Sequence, residues 1–370
     1  MTRHPLMPSI LSADASPVSR RTPLTNTHAR SIRDRNRGLV LRTLMQRSGI
    51  SRADLARITG LARPTISEVV KSLIDEGVIR ESGQSQDARP GKPAVMLEFD
   101  QRAVQVIALD LSAPDRVVGA LATPDGGLAH RRVRPSDADA VQAAGAIVAE
   151  LAMLASSPPL GVGVGVPSGA PALLGLHALL AQTVDAPVHL FDDADLAADA
   201  ELQFGGLDSD FLLVRLGTRI GTAIRAFDDD GAPVERSTGA RELAHVIAGG
   251  DPGDACPCGR IGCVHAWASV PALARRLDEA TAADRGEVLA AAGTRLGTSL
   301  SVIAAAVDLP TIVLSGPPTA VGDELIAAAA AAVQAASHPS RGPEVRGSTL
   351  DDAVLRGAAA RVVSHAFSAR

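Results

Sequence analysis

The sequence predicts a two-part α/β protein: a winged helix-turn-helix over residues 30–99, followed by a two-lobed α/β domain over residues 100–370. Three observations carry this. A helix, glycine turn, helix and hairpin follow one another early in the chain. Beyond residue 100, strands alternate with Ala-rich helices and end in carboxylates or glycines. Charge is also divided unevenly, with 16 Lys/Arg against 8 Asp/Glu in residues 1–92 and 20 against 33 in the rest. A chain of 370 residues is too long for one ordinary core. Its basic front is suited to a polyanion and its acidic remainder is not.

Residues 1–29, rich in Pro, Ser and Thr with scattered Arg, read as a disordered tail. From Ser31 to Gln46, Ile32, Leu39, Val40, Leu44 and Met45 recur at helical spacing and predict a first helix with one buried stripe. Ser51 with Asp54 is a capping-box start for a second helix, Leu55 and Ile58 form its inner face, and Thr59-Gly60 end it. A third helix opens at Pro64 and runs to Glu76, with Ile66, Val69, Val70, Leu73 and Ile74 turned inward. Its other face presents Arg63, Thr65, Ser67, Glu68 and Lys71, the arrangement that lays a recognition helix in the major groove. Val78–Glu81 and Ala94–Phe99 predict a hairpin wing. The stiff Arg89-Pro90-Gly91-Lys92-Pro93 tip offers Arg89 and Lys92 to phosphates or a minor groove. The competing reading, a three-helix dimerisation module with solvated charges, does not account for the wing.

In the second part, strands are predicted at Val104–Leu109 (ending in Asp110), Val117–Leu121, Leu160–Val166, Val188–Phe191, Phe211–Leu216 and Thr311–Ser315, with helices at Asp139–Leu154, Arg295–Val307 and Ala353–Ser364. Asp192-Asp193 and the loop Gly217–Gly221 lie at strand ends, where open α/β sheets place ligands. Asp192, Asp193 and Asp195 read equally well as the N-terminal cap of a helix. No apolar run approaches the ~18 residues of a membrane span and no compact signal sequence opens the chain, so a cytoplasmic protein with no membrane partner is expected.

The three cysteines, Cys256, Cys258 and Cys263, sit within eight residues and follow Glu242-Leu243-Ala244-His245. That clustering argues against a disulfide framework and for metal. Three thiolates and an imidazole make a closed tetrahedron, the structural kind of zinc site, with no position left for a catalytic water. One Zn2+ per chain is expected across residues 245–263, and such ions contribute about 10–16 kcal/mol to the folding of small sites.

With these motifs in view, the chain over about residues 30–370 resembles the ROK family (repressors, open reading frames and sugar kinases), in the layout of its xylose and N-acetylglucosamine repressors. The resemblance implies an actin-like, ribonuclease H-like ATPase-type domain. Its smaller lobe would span about 100–193 plus the C-terminal helix, and its larger lobe about 194–350. It also implies that His245, Cys256, Cys258 and Cys263 are the zinc ligands, that Asp193 stands where the kinases have their base, and that Glu242 and His245 match residues that hold sugar hydroxyls. Where the kinase pattern wants Asp-x-Gly-Gly-Thr, this chain has Asp110-Leu111-Ser112-Ala113-Pro114, which removes backbone donors for phosphate. Arg219 replaces a glycine of the second phosphate loop, Gly316-Pro317-Pro318 replaces a Gly-Gly, and the segment from Gly169 to Val188 is shorter than the usual sugar-contacting loop. His265 stands in place of a glutamate, and it reads equally as a packing or surface histidine.

The resulting expectation is a regulator without enzyme activity, Asp193 being a vestigial base. It would be a repressor of a carbohydrate or related metabolic operon, bound to a double-stranded operator as a homodimer or homotetramer. A sugar or small polar effector would meet Asp192, Asp193, Glu242, His245 and His265. An effector-independent scaffold is the alternative, and a residual sugar kinase comes last.

Overall fold

The computed structural model describes residues 36–41, 43–44, 47, 49–84, 94–100, 104–136, 139–167, 175–228, 233–234, 241–247, 255–338 and 342–367. The tail at 1–29 and the wing-tip residues Arg89 and Lys92 lie outside the described residues, as does the side chain of Glu242.

The head forms as its local signals dictate. Helix α1 (36–44) buries Val40, Leu41 and Leu44, while Leu39 is 37% exposed. Leu39 is thus a correction to the predicted stripe: one residue is a 100° step around the helix, so a face centred on 40, 41 and 44 turns 39 outward. After β1 (Ile50–Ser51), helix α2 (Arg52–Thr59) begins with a complete capping box. The Asp54 amide donates to Ser51 Oγ, and the Ser51 amide donates to the Asp54 carboxylate. It ends at Gly60, whose φ of +70° closes the turn with an N–H to the Ala56 carbonyl. Leu55 is fully buried, but Ile58 sits at the rim, 37% exposed, and is not an inner-face residue. Helix α3 (Arg63–Asp75) has Pro64 in its first turn and buries Ile66, Val70 and Leu73. β2 (Ile79–Gln84) and β3 (Val95–Phe99) complete an antiparallel sheet of order β1-β3-β2. The two-residue β1 carries no alternation of its own and was not expected; it forms because β3 offers it Leu97 and Met96 as partners.

Among the described residues the body contains two five-stranded sheets. The first is built from β4 (Val106–Asp110), β5 (Arg116–Ala122), β6 (Leu128–Pro135), β7 (Val162–Val166) and β8 (Val188–Asp192), in the order β6-β5-β4-β7-β8. Helices α4 (Ala140–Leu154) and α5 (Leu176–Thr183) fall between its strands, and α6 (Asp193–Phe204) leads to the second sheet. That sheet comprises β9 (Phe211–Leu216), β10 (Ile220–Phe227), β11 (Pro233–Val234), β12 (Thr311–Ser315) and β13 (Glu344–Gly347), in the order β11-β10-β9-β12-β13. In both sheets the first three strands form an antiparallel meander and the last two run parallel to the first. The same topology therefore occurs twice, and it brings the carboxyl ends of β4, β8 and β9 together between the lobes.

Between β11 and β12 lie a short 3-10 turn (Arg241–His245), α7 (Val264–Ala268), α8 (Val270–Glu279) and α9 (Arg285–Val307). α10 (Asp323–Ala336) follows β12, and α11 (Ala353–Phe367) follows β13. α11 returns to the first lobe, where Val354, Ala358 and Val362 join Ala194, Leu196 and Ala197 of α6 in one core. Predicted strands β9 and β12 have their expected bounds and α6 starts where a cap was read, whereas β6, α5, α8 and α10 were not anticipated. Ile220 and Gly221, read as loop, open β10. α9 begins at Arg285, ten residues before the predicted start at Arg295. Its 23 residues make it, by length and composition, long and apolar enough to cross a membrane, which corrects the expectation that nothing in the chain is. In this fold Ala292, Leu296, Leu300 and Ala304 of α9 are core residues of the second lobe.

Candidate functional site

On the head, the exposed side of α3 carries Arg63, Ser67, Glu68 and Lys71, with Thr65 half-buried. Ser67 Oγ donates back to the Arg63 carbonyl, which holds its hydroxyl against the helix. Four other head arginines are occupied, Arg37 with Glu76, Arg52 with Glu81, Arg57 with Asp54 and Arg80 with Glu98, while exposed Arg47, just past α1, makes no ion pair among the described residues. Among the described residues, neither Arg63 nor Lys71 makes an ion pair. The helix that follows the capped turn therefore leaves its positive charge uncompensated. The sequence reading brings these five residues onto one element, and the structure places them there.

The metal-ligand candidates converge. One donor atom from each of His245, Cys256, Cys258 and Cys263 lies within 4.8 Å of the others. Cys258 Sγ is 3.7 Å from Cys263 Sγ, and Cys256 Sγ is 3.5 Å from His245 Nδ1. Ligand bonds of about 2.3 Å (S) and 2.05 Å (N) at tetrahedral angles put S···S edges near ~3.8 Å and S···N edges near ~3.6 Å. The donor set and these two edges thus fit a tetrahedral ion, with the remaining donors within 4.8 Å of one another. Two short bridges, Ile247 with Cys263 and Ala255 with Ile261, tie the knuckle, and Cys263 caps α7. Burial, with Cys258 and Cys256 close by, pushes the Cys263 thiol up to about 12. Burial also raises Cys256, whereas the Arg260 backbone amide lowers Cys258. Buried thiolates in such a cluster require a cation beside them.

Between the lobes, Asp110 at the end of β4 and Asp193 at the start of α6 face Arg215 of β9. Arg215 Nε donates to Asp193 Oδ2 at 3.1 Å, and its terminal nitrogen donates to Asp110 Oδ2 at 3.2 Å. The other Asp110 oxygen accepts from the Ser112 amide at 2.8 Å and from Ser112 Oγ. The Thr218 amide and hydroxyl, on the β9–β10 turn, both donate to the Ser112 carbonyl, at 3.3 and 2.6 Å. Burial pushes Asp193 up to about 6, opposed by the Arg215 charge and reinforced by Asp110 and Asp192. Asp192 accepts the Ala194 amide as the N-cap of α6, the cap role that the sequence had offered as one reading.

His265, in α7, lies with its ring 6.0 Å from that of His245, and its buried Nδ1 has no partner. Burial, together with the nearby His245 and Arg219, lowers its pKa. Arg215 was missed in the sequence reading. Its signal was there: a single guanidinium inside the otherwise apolar strand Phe211–Leu216 needs an anionic partner.

A basic winged helix-turn-helix joined to a duplicated two-lobed α/β body defines the class of DNA-binding regulators with a kinase-like second domain. The chain belongs to the ROK family, whose model matches residues 164–364, and a winged helix-turn-helix DNA-binding model matches residues 33–80. The xylose repressor of Bacillus subtilis (strain 168) is 25% identical over 264 residues, which cover 65% of this chain and 67% of that protein. The xylose repressor of Caldicellulosiruptor bescii is matched over 64% of its length, so the aligned stretch spans about two thirds of these curated relatives. In fold, the chain is similar to a ROK family transcriptional regulator described as a homolog of the E. coli Mlc protein, at a TM-score of 0.70 and 20% identity, over 92% of this chain and 97% of that one. A ROK family glucokinase from Streptomyces griseus, solved with glucose and AMPPNP, is similar in fold at a TM-score of 0.57 and 20% identity, over 69% of this chain and 98% of that one.

Proposed function

We propose that this chain is a DNA-binding transcriptional regulator, a repressor of a carbohydrate or related metabolic operon, that reads duplex DNA through α3 and the wing. The observation that carries the reading is the pair of uncompensated cations, Arg63 and Lys71, on the exposed side of a helix set by the capped α2 and the Gly60 turn. Arg63 and Lys71 would meet guanine edges or phosphates, Thr65, Ser67 and Glu68 would meet base edges, and Arg89 and Lys92 would follow the flanking backbone. One such head spans too few base pairs for a specific site, so a homodimer or homotetramer on paired half-sites follows. The relatives' names, xylose repressor and Mlc, agree with this function.

The ion held by His245, Cys256, Cys258 and Cys263 would be Zn2+. When bound, it supplies cross-linking of the knuckle to the 3-10 turn, a structural role. The body would serve assembly and the sensing of a sugar or small polar ligand near Asp192, Asp193, Glu242, His245 and His265. It is not an enzyme in this reading: Asp193 is tied to Arg215, and the phosphate-loop position holds Ser112, Ala113 and Pro114.

The test is duplex binding by fluorescence anisotropy across a salt series, using promoter fragments recovered by genome-wide binding of the tagged protein. The parent should lose affinity steeply with salt. Arg63→Ala with Lys71→Ala should weaken binding by at least about tenfold and reduce the salt slope by about 2. Unchanged binding by that double variant would refute the assignment of α3 as the reading helix.

A further inference from the structure

The cleft floor holds two carboxylates from different elements, Asp110 and Asp193, with a guanidinium wedged between them. Paired carboxylates at converging strand ends are the usual oxygen ligands of a divalent cation such as Mg2+ or Mn2+. Here the chain supplies the cation itself. Arg215 spends two donors on the pair, and Ser112 takes the remaining Asp110 oxygen, so Asp110 has chain donors on both its oxygens. Gly217 of the β9–β10 turn lies against the trio: a Cβ there would sit in ordinary contact with Asp193 Oδ2, at 3.8 Å, and with the Ser112 carbonyl, at 3.7 Å. The Thr218 bonds to Ser112 then latch the β9–β10 turn of one lobe onto the β4–β5 turn of the other. All three members of the trio are largely buried, with Asp193 at 3% and Arg215 at 11% side-chain exposure.

We propose that Arg215 is a resident cation: it fills the place of a divalent metal between Asp110 and Asp193 and so closes the cleft floor to metal–nucleotide ligands. In the non-enzymatic reading proposed above, the block on metal-assisted chemistry then traces to one side chain in addition to the altered loops. Removing the guanidinium uncovers a divalent-cation site that the parent does not have. This inference is independent of DNA reading, because it concerns only the body and uses no operator.

The experiment is a Mn2+ titration of the full, zinc-loaded chain, with free Mn2+ counted by electron paramagnetic resonance. The parent and its Asp110→Asn variant should behave alike, with no Mn2+ held at the cleft. Arg215→Gln should gain a site for Mn2+ at least about tenfold tighter than any the parent shows. Adding Asp110→Asn to Arg215→Gln should abolish that site, and Arg215→Lys, which keeps the charge, should not create it. A folded Arg215→Gln protein, checked by circular dichroism, that gains no Mn2+ would overturn the proposal. So would a parent that binds Mn2+ at a site lost in Asp110→Asn, a comparison that holds even if Arg215→Gln fails to fold.

Discussion

Arginine does opposite work in the two parts of this molecule. In the head its side chains lie at the surface, as with Arg57 at 74% exposure, and Arg63 is left unpaired among the described residues. In the body the arginines of β5 and β6 also lie at the surface, but those that face α6 and the lobe junction are buried against carboxylates. Arg225 of β10, at 5% exposure, reaches Asp195 and Asp199 of α6, Arg361 of α11 takes the other Asp199 oxygen, and Arg346 meets the fully buried Glu201. Helix α6 is thus an acidic spine gripped by arginines from the second sheet and from α11. The difference teaches that net charge by segment says little until the partners are known. The head is positive because its cations face water, and the acids of α6 are internal fastenings. Surface pairs contribute about 0–1 kcal/mol, whereas breaking a buried pair costs several kcal/mol.

The comparison can be broken at four places, taken from the largest expected effect downward. Chelating the metal, or Cys263→Ser, should lower the melting temperature of the full chain by at least about 10 °C. The chain has one tryptophan and no tyrosine, so Trp267, four residues after Cys263 and stacked under Arg276 and Arg295, reports the loss directly in its emission. An unchanged melt and emission would show that the knuckle stands without an ion. Next, Arg225→Met should cost about 3 kcal/mol in urea unfolding, because it leaves buried acids with one partner fewer. A loss under about 1 kcal/mol would put the body's arginines in the same class as the head's.

Third is a pH effect at Asp193. Its folded pKa is raised to about 6, so the native state holds a proton that the unfolded chain, near the ordinary 3.8, has released. The native state binds more protons across that window, so this group's contribution to stability falls as pH rises from about 4 to 6 and is level above. Asp193→Asn should flatten that part of the stability profile, and a profile of unchanged slope would contradict the assignment. Smallest is the head: Arg63→Ala with Lys71→Ala should change folding stability by no more than about 0.5 kcal/mol, read by the same urea melt, while it weakens DNA binding.

Much of the fold was legible wherever the signal is local. Ser51 and Asp54 three residues apart, Gly60 just past a helix, and Pro64 in a first turn each act within one helical turn, and each is found as read. Strands β9 and β12 are mostly apolar runs, broken in β9 only by Arg215, and flanked by Asp, Gly or Pro, which leaves few other registers. By contrast β6 is an edge strand whose Leu-Ala-His-Arg-Arg-Val-Arg-Pro has little to alternate, and α10 is a near-uniform alanine run without a heptad-like stripe. Both are defined by the neighbours they cover. Leu39 and Ile58 went wrong for a related reason: helical spacing gives a face, and only the packed partner gives its centre.

The same division holds for the sites. Order and spacing along the chain by themselves determined the winged head, the alternation of the body and the four ligand candidates, because caps, turns and closely spaced donors act over a few bonds of backbone. Tertiary structure alone decided that Arg215 would meet Asp110, 105 residues earlier, and that two sheets of identical order would bring them face to face. A buried charge is stable only beside its counter-charge, and which counter-charge that is depends on where the chain returns.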